Sequence, residues 1–207
     1  MNRYFILSDV IPPENREEQI QLFQNIFGNK NPLIVEIGSG NGHFLVEVAM
    51  QNPHKNFIGT EILGGRARKF NSKVQKRGLK NIAIFKGDAR QFVWEFLYEE
   101  TVEEFIILFP DPWPKRRHHK HRLLTQQFIN MLRHRLVKDG IITISTDNED
   151  YRDWIIEEFF KAGGFKNLFQ KGFSHWPEHY PESLFKERFR KMQRPIYFIQ
   201  YTNQSSC

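Results

Sequence analysis

Five carboxylates in this chain share one kind of position. Glu36 in "VEIGSGNG", Glu61 in "GTEI", Asp88 in "KGDAR", Asp111 in "FPDPW" and Asp147 in "STDN" each stand at the end of an apolar run. A carboxylate can accept hydrogen bonds from hydroxyl, amine or ring N–H groups and can balance positive charge. Any one of the five could be a helix cap or a turn residue. Five in succession point instead to one shared ligand site. Asp111 is the most constrained of them, because Pro110, Pro112 and Pro114 stiffen the turn that carries it and Trp113. Eight consecutive basic side chains follow, Lys115 through Arg122. Such a run suits a polyanion, since each Lys or Arg that neutralises a phosphate releases counterions.

The turn after Glu36 holds glycines at 38, 40 and 42. Glycine lets the backbone turn tightly and come close to a ligand. The spacing is G-x-G-x-G, whereas the dinucleotide fingerprint is G-x-G-x-x-G. Glu61 lies at the distance expected of an acid that accepts both ribose hydroxyls. Glu36 would meet a pyrophosphate with a negative charge, but would attract a ligand carrying sulfonium and ammonium groups. Asp88 is placed to accept from an exocyclic adenine amine. These features favour S-adenosylmethionine over a nicotinamide dinucleotide.

Such residues need a scaffold that brings strand ends together, and the hydrophobic pattern predicts one. The apolar runs "PLIVEIG", "NFIGTE", "NIAIF", "EFIILF" and "IITIST" alternate with stretches of helical period. Near-continuous apolar strands are those covered on both faces. Alternation of this kind implies right-handed crossovers and a doubly wound, mostly parallel α/β sheet of the Rossmann-like class. Ligands then bind beyond the carboxyl ends of the strands, at the switch point beside the first. The tail departs from the alternation. "FKNLFQ" and "PIYFIQY" are strand-like without a helix between them, and are expected as an antiparallel pair at one edge. The long connection 171–195 joins them. Residues 1–30 are expected as an N-terminal helical extension, with Ile20, Phe23, Ile26 and Phe27 on one side, and the chain 1–207 as a single domain. Thr125–Leu136 reads as a helix, with Lys138-Asp139-Gly140 turning into the fifth strand.

Composition narrows the class. The chain of 207 residues is 40% hydrophobic with 20 phenylalanines, enough for a substantial core. The longest apolar run, "FIILF", falls far short of the roughly 18 residues of a membrane span. The start "MNRYFILSDV" lacks a signal peptide's apolar segment, and the single cysteine, Cys207, excludes a disulfide framework or thiolate cluster. A cytoplasmic setting is expected. Thirty Lys+Arg against 24 Asp+Glu give a net charge of +6, and the excess is clustered. Besides 115–122, cations gather in "GGRARKFNSKVQKRGLK" and in "KERFRKMQR" at 186–194. His175 and His179 have a ligand-like i, i+4 spacing, but Pro177 between them disfavours the helix that would align them, so no metal site is expected.

Taken together, "FPDPWPKRRHHKHR", "VEIGSGNG", "GTEI", "GDA" and "STDN" closely resemble the bacterial tRNA (guanine-N(7)-)-methyltransferase family, from about residue 30 onward. That resemblance implies a class I methyltransferase using S-adenosylmethionine on a guanine of the tRNA variable loop. It implies that Glu36, Glu61, Asp88 and Asp111 are cofactor-site acids, with Gly38, Gly40 and Gly42 in the same turn and Asp111 doubling as the catalytic residue. Lys115 and Asp147 match the family's substrate-binding positions. The segment Arg117, His118, His119, Lys120, His121 and Arg122 matches its RNA-contacting part. One motif departs. The family's Thr-x-aromatic-Glu is "SLFKE" here, so Ser183 stands for the threonine and Lys186 reverses the glutamate's charge.

Two other functions remain open at this level. An exocyclic-amine methyltransferase would use an (Asp/Asn)-Pro-Pro-aromatic corner, from which "DPW" followed by Pro114 differs. A non-catalytic RNA-binding module would leave the strand-end acids without purpose. A monomer and a homodimer are both compatible with the sequence.

Overall fold

A computed structural model describes residues 3–178, 180 and 194–204. The central strands are β2 (Leu33–Ile37), β3 (Asn56–Glu61) and β4 (Ile82–Lys86), the first two buried along their whole length. To these are added β5 (Val102–Leu108), β6 (Leu136–Thr146), β7 (Phe165–Asn167), β8 (Tyr197–Asn203) and a short β1 (Tyr4–Ile6). They form one 8-stranded sheet in the order β1-β4-β3-β2-β5-β6-β8-β7. Every pairing from β1 to β6 is parallel, while β8 runs antiparallel to both β6 and β7. The doubly wound sheet and the antiparallel edge pair are as the pattern predicts.

Helices cover both faces. On one side α1 (Arg16–Phe27), α4 (Ala89–Phe96), α5 (Gln126–Arg135) and α6 (Glu149–Ala162) build a core around Phe23, Phe92, Phe96, Phe128 and Phe159. On the other, α2 (His43–Gln51) and α3 (Gly64–Lys76) pack Phe44, Leu45, Phe70 and Val74 against the strands, with Trp176 alongside. Helix starts follow the capping chemistry written in the sequence. Asn15, Thr125 and Asn148 accept from the N–H groups of Glu18, Phe128 and Tyr151, and α1 ends on Gly28 at φ 78°. No helix among the described residues is long and apolar enough to cross a membrane.

Two boundaries differ from expectation. The first 30 residues are not only helical, because Tyr4–Ile6 adds a parallel strand beside β4. Three residues carry too little periodicity to announce a strand. The fifth predicted strand begins earlier, at Leu136, directly after α5. Lys138, Asp139 and Gly140 lie within it, at a register irregularity between the pairs Val102↔Leu136 and Glu104↔Ile141. Asp139 takes φ 61°, so the apparent turn is a bulge that the strand absorbs. Most of the connection 171–195 lies outside the described residues. Its near part bridges Ser174 to Phe198 and seats Trp176 in the α2–α3 layer.

Candidate active site

The sheet order reverses at β2, and three of the five acids, Glu61, Asp88 and Asp111, line the crevice there, while Glu36 and Asp147 do not. A cleft of about 460 Å³ is lined by Gly38 and Gly40, by Glu61 and Asp88, and by Asp111 and Trp113 on the far wall. Ile62, Arg66, Arg90, Phe109 and His121 also face it, and sequence reading did not single out the first four. Ile62 and Phe109 are neighbours of motif residues. Arg66 and Arg90 read as ordinary helix cations, and spacing alone offers no sign of their cleft position.

The glycine turn is built from positive φ. Gly38 and Gly40 sit at φ 76° and 58°, and a Cβ on either would meet nothing within 4 Å. Their requirement is conformational, and it leaves the cleft wall open. Gly42 differs. A Cβ there would lie 1.9 Å from the Phe70 ring, so this glycine lets α2 sit on α3 and does not line the cleft. Packing on Phe70 is a second reason for glycine at this position, one that G-x-G-x-G spacing does not reveal. Ser39 N–H donates to Thr60 O at 2.8 Å and Ser39 Oγ to Glu36 O at 3.2 Å, which ties the turn to β2 and β3.

Glu36 lies beneath this turn at 3% exposure, and its Oε2 is buried with no hydrogen-bond partner. Burial pushes its carboxyl up to about 8, opposed by a hydrogen bond from Ser39 and helped by the like charge of Glu61. The contrast with Glu104, another deeply buried carboxyl, is informative. Glu104 Oε1 receives Thr143 Oγ1 at 2.6 Å and Tyr180 Oη at 3.4 Å. Glu104 is satisfied within the protein, whereas Glu36 keeps an orphaned oxygen. Such an atom calls for a donor supplied from outside. Glu61 is 5% exposed and takes the Leu63 N–H at 2.7 Å on Oε1. Asp88 is both cap and cleft residue. Its Oδ1 accepts from the N–H groups of Arg90 and Gln91.

Across the cleft, Asp111 is exposed within a corner of unusual backbone. Phe109 and Trp113 adopt φ 52° and 46°, the left-handed region that bulky residues avoid. Several contacts hold them there. Phe109 stacks on Trp176 at 6.1 Å and 6°, its N–H donates to Ser145 O at 2.9 Å, and Trp113 packs edge-on to His118 and against His121.

The basic run does not present itself uniformly. Residues Arg116–His121 form a 3-10 helix, with Lys115, Arg116, Arg117, Lys120 and His121 exposed. His118 is half-buried against Trp113, and His119 against Trp154, 3.9 Å from Asp150. Arg122 is fully buried, which removes it from the expected RNA-contacting surface. Its Nε donates to Pro112 O at 2.9 Å and its Nη2 pairs with Asp150. The guanidinium lies 5.0 Å from the Tyr151 ring centre and 4.9 Å from that of Trp154. The aromatic faces of α6 and a carboxylate draw it inward, and it pins the proline corner from behind.

Lys115 stands exposed just before the 3-10 helix and does not line the cleft. Asp147 is 12% exposed and accepts from Arg194 Nη1 at 2.7 Å. Ser183, Lys186 and His179 lie outside the described residues. Among the described residues no His, Cys, Asp and Glu cluster could hold a metal ion.

Residues 30–199 match the family model described as "Putative methyltransferase". The chain is 34% identical over 181 residues to a tRNA (guanine-N(7)-)-methyltransferase of Vibrio parahaemolyticus, covering 86% of this chain and 76% of that one. It is 32% identical over 182 residues to a like-named protein of Chlamydia abortus, covering 88% and 81%. Among solved structures, the 16S rRNA methyltransferase KamB aligns over 99% of this chain and 100% of its own, with a TM-score of 0.68 at 15% identity. At that identity the likeness concerns the fold alone, and it sets the sheet among the class I methyltransferases. With a crevice of strand-end acids, a proline corner and relatives of this identity and coverage, the chain belongs to the tRNA (guanine-N(7)-)-methyltransferase family.

Proposed function

We propose that this protein transfers a methyl group from S-adenosylmethionine to N-7 of a guanine in the variable loop of tRNA. The observation that carries the reading is Asp111, held in a pinned corner on the wall of the cleft that Gly38, Glu61 and Asp88 line. The orphaned Oε2 of Glu36 and the open faces of Gly38 and Gly40 suit a cationic nucleoside. When bound, S-adenosylmethionine supplies an electrophilic methyl group on a sulfonium. Glu36 would balance its positive charge, Glu61 would accept from ribose hydroxyls, and Asp88 from the adenine amine. Lys115, Asp147, Ser183 and Lys186 are assigned to the substrate side, and Arg117, Lys120 and His121 to the RNA backbone.

Guanine N-7 carries an unprotonated lone pair, so no general base is needed. What the protein contributes is orientation, which can supply roughly 7–11 kcal/mol of a barrier. Asp111 would accept from the guanine's N–H edge and offset the positive charge the ring acquires, by electrostatic preorganisation and without proton transfer. A polynucleotide substrate agrees with the charge excess of +6 and with a cytoplasmic setting.

Incubating unmodified tRNA with labelled S-adenosylmethionine, followed by nucleoside mass spectrometry, tests the reading. The expected product is 7-methylguanosine, at a position cleaved by borohydride and aniline treatment. A methylated exocyclic amine would transfer the assignment to that chemistry, and no incorporation would leave an RNA-binding module.

A further inference from the structure

The site accounts for one basic segment and leaves another unexplained. Between Glu61 and Asp88 the chain contains no Asp or Glu, and α3 lies within that stretch. Arg66, Lys69, Lys73 and Lys76 recur at i, i+3, i+7 and i+10, the spacing of one helix stripe, and Arg77 and Lys80 follow it past the helix end. The stripe flanks the buried residues Ala67, Phe70 and Val74, and all of its cations except the half-buried Lys73 are exposed. The carboxylate found on this stripe among the described residues is Glu47, on Arg77.

Helix stability accounts for only part of this arrangement. α3 starts on Gly64-Gly65-Arg66 with no acid in its first turn and no side-chain cap. By contrast, α1 and α6 each begin with an asparagine cap and two acids. Cations near a helix N-terminus oppose the macrodipole. The Lys73 ammonium is pushed down from its ordinary value by burial, then by Arg77, with Glu47 working against them and Lys69 adding to the effect. Lys73 and Lys76 lie in the last turn, where cations suit the macrodipole, so what helix stability leaves unexplained is Arg66 at the start and the crowding of Lys69 and Arg77 about Lys73.

The stripe also has an address. Arg66, at its start, lines the same cleft as His121, the last residue of the 3-10 helix. The two basic elements lie on opposite faces of the sheet. The 3-10 segment packs on α6 through His119 and Trp154, whereas α3 belongs to the layer of α2. We infer that α3 is a second phosphate-binding track, so that an RNA substrate straddles the cleft and is held on both faces of the sheet at once. A strand of regularly spaced phosphates is the partner that a one-sided row of cations matches. The inference rests on the reading of tRNA as substrate.

The test compares two variants of the full chain. Lys69→Gln with Lys73→Gln and Lys76→Gln removes the track without touching Arg66 in the cleft. Arg117→Gln with Lys120→Gln removes the 3-10 cations. The α3 variant is expected to bind S-adenosylmethionine as before, to bind unmodified tRNA at least tenfold more weakly at 0.15 M salt, and to lose about 0.9 from the log–log salt slope per lost phosphate contact. Replacing the same three lysines with arginine should retain the slope, which separates charge from folding. If the 3-10 variant weakens tRNA binding and the α3 variant does not, the second track is overturned while the substrate reading stands. If neither weakens it, the tRNA reading itself falls.

Discussion

Two corners bound the cleft, and they obtain the same backbone conformation by opposite means. After β2, positive φ is supplied by Gly38 and Gly40, for which it is ordinary. After β5, positive φ is imposed on Phe109 and Trp113, where it costs on the order of 1–3 kcal/mol each. The first corner needs nothing beyond its own residues. The second persists because remote groups over-determine it: Trp176 under Phe109, Ser145 O on its N–H, and Arg122 on Pro112 O. A loop that contributes only shape can be glycine. One that must aim a carboxylate is better built from large side chains that packing can lock.

The comparison can be broken most severely at Asp111. Asp111→Asn keeps the size of the residue and the prolines, so cofactor and tRNA affinities should change little. Single-turnover methyl transfer should fall by about 10²–10³-fold, the scale of losing one preorganised polar group. Near-normal turnover would take Asp111 out of the mechanism. The next largest effect belongs to Arg122. Arg122→Ala leaves Pro112 O unpaired and a cavity among Tyr151 and Trp154, so stability should drop by on the order of 2–3 kcal/mol in urea titration. In the milder Arg122→Lys, kcat should fall about tenfold or more as the corner loosens. The salt slope of tRNA binding should stay unchanged, since a buried group releases no counterion. A flattened slope would restore Arg122 to the RNA surface.

Glu36 sharpens the glycine side. Its carboxyl lies near 8 in the folded chain, against 4.5 ordinarily. Between those values the native state holds a proton that the unfolded chain releases, so stability without ligand should fall as pH rises through this window and level off above it. A cationic ligand favours the carboxylate. S-adenosylmethionine should therefore bind more tightly as pH rises from about 6 to 8, by up to about tenfold per unit, with proton release visible by calorimetry in buffers of different ionisation heat. Glu36→Gln should abolish that release, and its persistence would place the titrating group elsewhere. The smallest effect separates strain from function. Trp113→Gly relieves the backbone, so unfolding free energy in urea titration should move by no more than about 1 kcal/mol in either direction. Activity should still drop as the packing against His118 and His121 disappears. A strongly destabilised variant would mean that Trp113 was not strained.

Much of this was legible because strands covered on both faces are apolar throughout, as in "LIVEI" and "IAIF". The acids could be read off their ends, and the asparagine and threonine caps wrote the starts of α1, α5 and α6. What escaped was whatever depends on partners distant in the chain. Arg122 reads as the last of eight equivalent cations, and only the approach of Asp150, Tyr151 and Trp154 turns it inward. Gly42 reads as the third glycine of a ligand turn, and its close approach to Phe70 has no sign in the local sequence. Asp139-Gly140 has turn chemistry, yet β5 and β8 on either side keep it within a strand.

Two hydrogen bonds through Arg122 join α4 to the proline corner. Arg90 lies two residues after Asp88, the cap of α4, and its Nη2 donates to Arg122 O at 3.1 Å, while Arg122 Nε donates to Pro112 O at 2.9 Å. Asp88 and Asp111, both lining the cleft, are thus the ends of a single braced frame. Such bracing would couple displacements of the two walls and narrow the spread of the span between them. For a transfer that requires two atoms in line, a narrow distribution of that span matters more than its average.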